Sequence, residues 1–112
     1  AMISLALLEE KKGNTDLALS MFEKLSLQNP SHGASLFQLG RIYYNVGRLE
    51  DAERTFKQVL SLNPNDSNTH YALGALYEKE KRKKEAIEEF KKVLELNPND
   101  SNVIVKLNQL TK

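Results

Sequence analysis

Apolar residues fall at helical spacing from one end of the chain to the other. Leu36, Leu39, Ile42 and Tyr43 sit at i, i+3, i+6 and i+7, and the stripe breaks at Gly47. A second stripe, Ala52, Phe56, Val59 and Leu60, stops before Pro64. Such spacing gives each of two helices one apolar side, and the glycine between them marks a tight turn. The predicted unit is an αα-hairpin. Leu73, Leu76 and Tyr77, then Ala86, Phe90, Val93 and Leu94, repeat the pattern further on. No segment shows the period-two alternation of a strand, so the expected class is all-α.

The spacing between hairpins is fixed. Leu62-Asn63-Pro64-Asn65-Asp66 returns unchanged as Leu96-Asn97-Pro98-Asn99-Asp100, thirty-four residues later, and a weaker copy, Gln28-Asn29-Pro30-Ser31-His32, lies thirty-four residues earlier. Proline ends a helix that approaches it, because it has no N–H and clashes with the preceding turn. The residue before it is pushed out of the α region. The Asn-Asp or Ser-His that follows can offer acceptors to the first N–H groups of the next helix. Each copy is a stop followed by a start. The units run 1–32, with two residues missing at the start, then 33–66 and 67–100. Residues 101–112 form a capping helix or a partial fourth repeat.

Small residues recur in register. Gly40 and Gly74, with Ala6 in the first unit, fall mid-helix, and Ala18, Ala52 and Ala86 share one position of the second helix. Mid-helix glycine costs about 1 kcal/mol relative to alanine, so a close approach of the two backbones is expected there. Phe22, Phe56 and Phe90 fill the space one turn on. One hairpin cannot bury so much apolar surface alone, so neighbouring hairpins are expected to stack.

These residues resemble the tetratricopeptide repeat, whose pattern is W-x2-L-G-x2-Y, then A-x3-F, then P. The second unit supplies Leu39, Gly40, Tyr43, Ala52, Phe56 and Pro64, and the third supplies Leu73, Gly74, Tyr77, Ala86, Phe90 and Pro98. The first keeps Leu5, Gly13, Ala18, Phe22, Asn29 and Pro30 but has Glu9 where the tyrosine belongs. Met2, Leu36, His70 and Ile104 stand at the tryptophan position. The resemblance implies an α-solenoid of seven helices, stacked as antiparallel pairs in a right-handed superhelix. Its first helices would line a concave groove that receives peptides.

One departure concerns the turn. Gly13 and Gly47 occupy it in the first two units, whereas the third has Lys81. A non-glycine residue is strained at positive φ, so a turn of different geometry, or a prolonged helix, is expected over residues 80–83. In the last helix Val103, Ile104, Leu107 and Leu110 form a stripe expected to pack on the third unit, with Val105 among polar neighbours outside. The short first unit and the single closing helix suggest a segment of a longer array.

Composition narrows the function. The 112 residues are 40% hydrophobic and 28% charged, and 16 basic against 15 acidic side chains leave a net charge of +1. That balance gives no reason to expect a nucleic-acid or membrane partner. No apolar run approaches membrane-spanning length, and Glu9 to Lys12 interrupt the first apolar stretch too early for a signal peptide. A cytoplasmic location is favoured. Without cysteine, disulfides and thiolate metal sites are excluded. No H-E-x-x-H, G-x-S-x-G, phosphate-loop or dinucleotide fingerprint occurs, so no enzyme, cofactor or metal is expected. His70, at the tryptophan position, is read as structural. The run Lys79–Lys84 lies among Glu78, Glu80, Glu85, Glu88 and Glu89 and reads as a solvated helix end laced with ion pairs.

A binding surface remains. Carrying the family's groove positions over gives Ile3, Ser4, Leu7 and Glu10 in the first unit. In the second they are Ala34, Phe37, Gln38, Arg41, Tyr44 and Asn45, and in the third Asn68, Tyr71, Ala72, Ala75, Glu78 and Lys79. The last helix contributes Asn102, Val105, Lys106 and Gln109. Phe37, Gln38, Arg41, Tyr44, Asn45, Tyr71, Ala75 and Glu78 are the candidate peptide-binding residues. Phe37, Tyr44 and Tyr71 lie off the core stripes, so their own hairpins do not demand them. Aromatics and arginine are the residues from which binding hot spots tend to be built. The family's chaperone-binding members clamp an acidic C-terminus with lysine, asparagine, asparagine, lysine and arginine. Ile3, Leu7, Gln38, Asn68 and Ala72 stand at those positions, so that clamp is absent. The expected function is a protein interaction module that holds a partner segment. The alternative is self-association through the repeat ends or the last helix, giving a homo-oligomer.

Overall fold

The stripes and stops become seven α-helices among the described residues, with no strand. They are α1 (Met2–Lys11), α2 (Thr15–Gln28), α3 (Gly33–Asn45), α4 (Leu49–Leu62), α5 (Ser67–Lys79), α6 (Lys83–Leu96) and α7 (Ser101–Leu110). This computed structural model describes residues 2–112, and side chains from residue 3. The tryptophan-position reading at Met2 therefore lies outside the described side chains. The chain divides into two compact units, one ending at Asn63 and the other starting at Pro64.

In the first unit α1 packs on α2, α2 on α3, and α3 on α4. Ala18, Phe22 and Leu25 of α2, Leu39 and Ile42 of α3, and Ala52, Phe56 and Val59 of α4 are buried. In the second unit α5 packs on α6 and α6 on α7, around Leu73, Leu76, Ala86, Phe90, Val93 and Val103. Phe22, Phe56 and Phe90 are each no more than 1% exposed. Burying a side chain of that size contributes about 1.5–3 kcal/mol, so these rings anchor their hairpins.

The mid-helix glycines serve those rings. A Cβ on Gly40 would lie 2.7 Å from Phe56 Cε1, and one on Gly74 would lie 2.7 Å from Phe90 Cε1. The sequence suggested that glycine lets two backbones meet at a crossing. The structure seats a phenylalanine ring on the open side of each glycine instead.

The helix starts follow the stop-and-start reading in part. Asp66 accepts a bond from Thr69 N at 3.4 Å and Asp100 accepts one from Val103 N at 3.3 Å, so both cap the next helix through their side chains. His32 makes no such cap. Its Nδ1 lies 2.6 Å from Ser35 Oγ.

Two expectations are corrected. Lys81 does take positive φ, at 62°, beside 92° for Gly13 and 87° for Gly47. Its turn is the glycine turn. Arg82 N bonds Tyr77 O at 2.8 Å just as Arg48 N bonds Tyr43 O at 2.8 Å. The bonds closing the helix outweigh the cost of a left-handed lysine, and the Arg82 guanidinium, 4.4 Å from the Tyr77 ring centre, holds the next residue down. The last stripe is the second correction. Val103 is fully buried, but Ile104 is 40% exposed and Leu107 and Leu110 are only half-buried. One helix can cover its neighbour with one side only.

Candidate functional site

On α3, residues 34, 37, 38, 41, 44 and 45 share one side, since they recur at three- and four-residue steps around a 3.6-residue turn. Phe37, Gln38, Arg41 and Tyr44 are half-buried there and Ala34 and Asn45 are exposed. The Phe37 ring centre is 5.7 Å from that of Phe56, tilted by 49°. Phe37 thus leans on the anchor of its own hairpin while its other side stays open. This corrects the reading that its hairpin makes no demand on it.

Arg41 is the best-held side chain on this face. Its two terminal nitrogens donate to Glu10 Oε1 at 2.6 Å and Glu10 Oε2 at 2.9 Å, and Nε donates to Gln38 Oε1 at 2.8 Å. Paired bonds of this kind, a fork of N–H groups on a carboxylate, are the strongest that arginine makes. They tie α3 to α1. The bond from Arg41 lowers the Glu10 pKa from the ordinary carboxylate value of 4.5, overcoming a partial burial that would raise it. The sequence placed Glu10 and Arg41 in the same groove but missed their bond. The signal was present: an acid late in one first helix and a base one turn earlier in the next.

The second unit has the same plan. Tyr71, Ala75 and Glu78 share a side of α5 and are half-buried. Tyr71 stands edge-on to Phe90, with ring centres 5.6 Å apart, so here too the aromatic leans on its own hairpin. Lys106 Nζ of α7 donates to Glu78 Oε1 at 3.3 Å. In each unit, then, an acid in the last turn of one first helix meets a cation on the following one.

Other titratable side chains tie elements together. His70 is 7% exposed, with Nδ1 2.7 Å from Glu89 Oε1 and Nε2 2.7 Å from the Pro64 carbonyl oxygen. It pins α5 to α6 and to the preceding turn, as its place at the tryptophan position suggested. Tyr43 donates its hydroxyl to Glu23 Oε2 at 2.6 Å, and burial, then that bond, pushes its pKa up to about 12. In the basic run, Arg82 pairs with Glu80 and Glu85. Among the described residues, no group of three or more His, Cys, Asp or Glu converges to hold a metal, and no helix is long and apolar enough to cross a membrane. On the opposite side of α3, between α2 and α4, lies a cleft of about 360 Å³ floored by Leu36 and Leu39.

The tetratricopeptide repeat model matches residues 3–52 and 37–101. The chain belongs to the tetratricopeptide repeat family. Solved structures of this family superpose closely. MamA matches with a TM-score of 0.87 at 24% identity, over 94% of this chain and 61% of its own, so this chain spans less than two thirds of it. The first TPR of Spaghetti (RPAP3), bound to the HSP90 peptide SRMEEVD, gives 0.90 at 20% identity over 98% and 87%. The Yersinia enterocolitica type III secretion chaperone SycD, in complex with a peptide of the translocator YopD, gives 0.91 at 15% over 98% and 89%. At such identities the likeness concerns the fold. No curated protein sequence matches the chain.

Proposed function

We propose that this tetratricopeptide repeat chain is a non-catalytic interaction module that binds a peptide segment of a partner protein on the open faces of its first helices. The observation that carries the reading is the α3 face. Phe37 and Tyr44 are half-buried one above the other, beside a rigidly held Arg41 and an exposed Asn45. An aromatic side chain fixed by packing yet only half-buried, as Phe37 is against Phe56, provides contact area at low entropic cost. Tyr71, Ala75 and Glu78 provide the corresponding patch on α5. The peptides bound to the Spaghetti domain and to SycD support the same use of the fold.

The test is selection of peptides from a displayed library against the folded chain. Tyr44→Ala and Phe37→Ala should weaken the selected peptides by about 1–2 kcal/mol each while leaving the helical circular dichroism in place. Peptides that bind both variants like the wild type would remove this face from the account.

A second reading, self-association, rests on a different observation. Leu5 and Leu8 of α1 are 50% and 46% exposed, and Ile104 and Val105 of α7 are 40% and 53% exposed. Apolar side chains exposed on α1 and on α7 can pack head to tail between copies. Sedimentation over a range of concentrations decides it, and a monomer throughout would count against it.

A further inference from the structure

We infer that the α1–α3 face is closed to acidic tails and takes an uncharged, apolar segment, with Glu10 as the residue that sets this preference. The inference rests on the peptide-binding reading above. An acidic peptide needs a cation whose donors are open to it. Arg41, the cation central to this face, gives one N–H of each terminal nitrogen to Glu10 and its Nε to Gln38, and Glu10 balances its charge. Glu10 thus occupies the place that a peptide carboxylate would take, and it does so within the same chain, where no loss of translational freedom opposes it. A competing carboxylate would find one N–H left on each terminal nitrogen, but on a cation whose charge Glu10 already balances, so it gains little by approaching.

The second unit uses the same device. Glu78 holds Lys106 at 3.3 Å, and the two charges cancel on that face as well. Lys79 lies at the edge, in the last turn of α5. Within each unit, the groove side chains next to the paired charges are uncharged. Phe37 and Tyr44 lie beside Arg41, and Ala75 lies beside Glu78. Charge complementarity therefore selects a neutral segment that sets apolar side chains against Phe37 and Tyr44. Binding of that kind is insensitive to salt, unlike binding through exposed ion pairs.

The experiment uses the whole chain and two probes, a displayed library of peptides and the acidic heptapeptide SRMEEVD, with binding read by fluorescence anisotropy at two salt concentrations. The wild type should select near-neutral apolar peptides, with affinity unchanged by salt. It should bind SRMEEVD weakly, and Glu10→Gln should strengthen that binding by about threefold to fivefold, as expected for a partly exposed bridge of this kind. Gln38→Ala, which frees only the Nε, should give a smaller gain and serves as a check if Glu10→Gln perturbs the fold. Tight, salt-sensitive binding of SRMEEVD by the wild type, or selection of acidic peptides, would overturn the inference and leave the peptide-binding reading standing. A library that yields no binder at all would sink both.

Discussion

Lys81 holds a left-handed turn at φ 62°, where the two earlier turns use glycine. For an L-residue that conformation costs about 1–2 kcal/mol. Glycine removes the penalty but adds about 0.5–1 kcal/mol of unfolded-chain entropy. Lys81→Gly should therefore stabilise the chain by a net amount of about 0.5–1 kcal/mol, a rise of several degrees in melting temperature. A thermal melt checks it, and an unchanged or lower midpoint would mean that the lysine side chain compensates. Thr69 is the opposite kind of misfit. It is fully buried and, among the described residues, its hydroxyl finds no hydrogen-bond partner. The same repeat position holds Ser35, which pairs with His32, and Val103, which needs no partner. Thr69→Val keeps the shape and removes the orphan, so it should stabilise by about 1 kcal/mol in chemical denaturation. A loss of stability would reveal a partner for the hydroxyl.

Between elements, the Glu10–Arg41 bridge joins α1 to α3. Because Glu10 titrates below 4.5 in the folded chain, the unfolded chain takes up that proton first. The contribution of the bridge is therefore complete above 4.5 and fades as pH falls through the lowered value. At the partial exposure of this pair it amounts to about 1 kcal/mol or less. The stability gap between wild type and Glu10→Gln should be widest near neutral pH and should close in strong acid. A gap that persists in acid would mean that the glutamine disturbs packing. This bridge also shows where legibility stops. Stripes, stops and the thirty-four-residue period are local patterns, so helices, turns and buried phenylalanines could be read directly from them. The Glu10–Arg41 bond spans 31 residues and exists only once α2 has laid α1 beside α3. The packing of Phe37 and Tyr71 is hidden from the sequence for a related reason. Helical period alone put them off the stripe, whereas Phe56 and Phe90 are wide enough to reach them.

At the scale of the molecule, a repeat chain draws its stability from each helix covering the next, because no contact skips far along the array. The two units each keep their own core, and α7 is the element that lies over α6 in the second. It brings a fully buried Val103 and the Lys106 bridge to Glu78, with Asp100 capping its start. Burying one valine contributes about 1.5–3 kcal/mol, and an exposed-side ion pair adds little. A chain ending after Asp100 should therefore lose about 2–3 kcal/mol and melt roughly 10 °C lower. Amide exchange should rise first along α6, whose buried Val93 and Phe90 α7 helps to shield, and along α5 behind it. Exchange in α6 that stays as slow as in the full chain would show that the α5–α6 hairpin closes its own core. Val103 would then be a passenger on it, and α7 could be left out of any account of how the second unit stays folded.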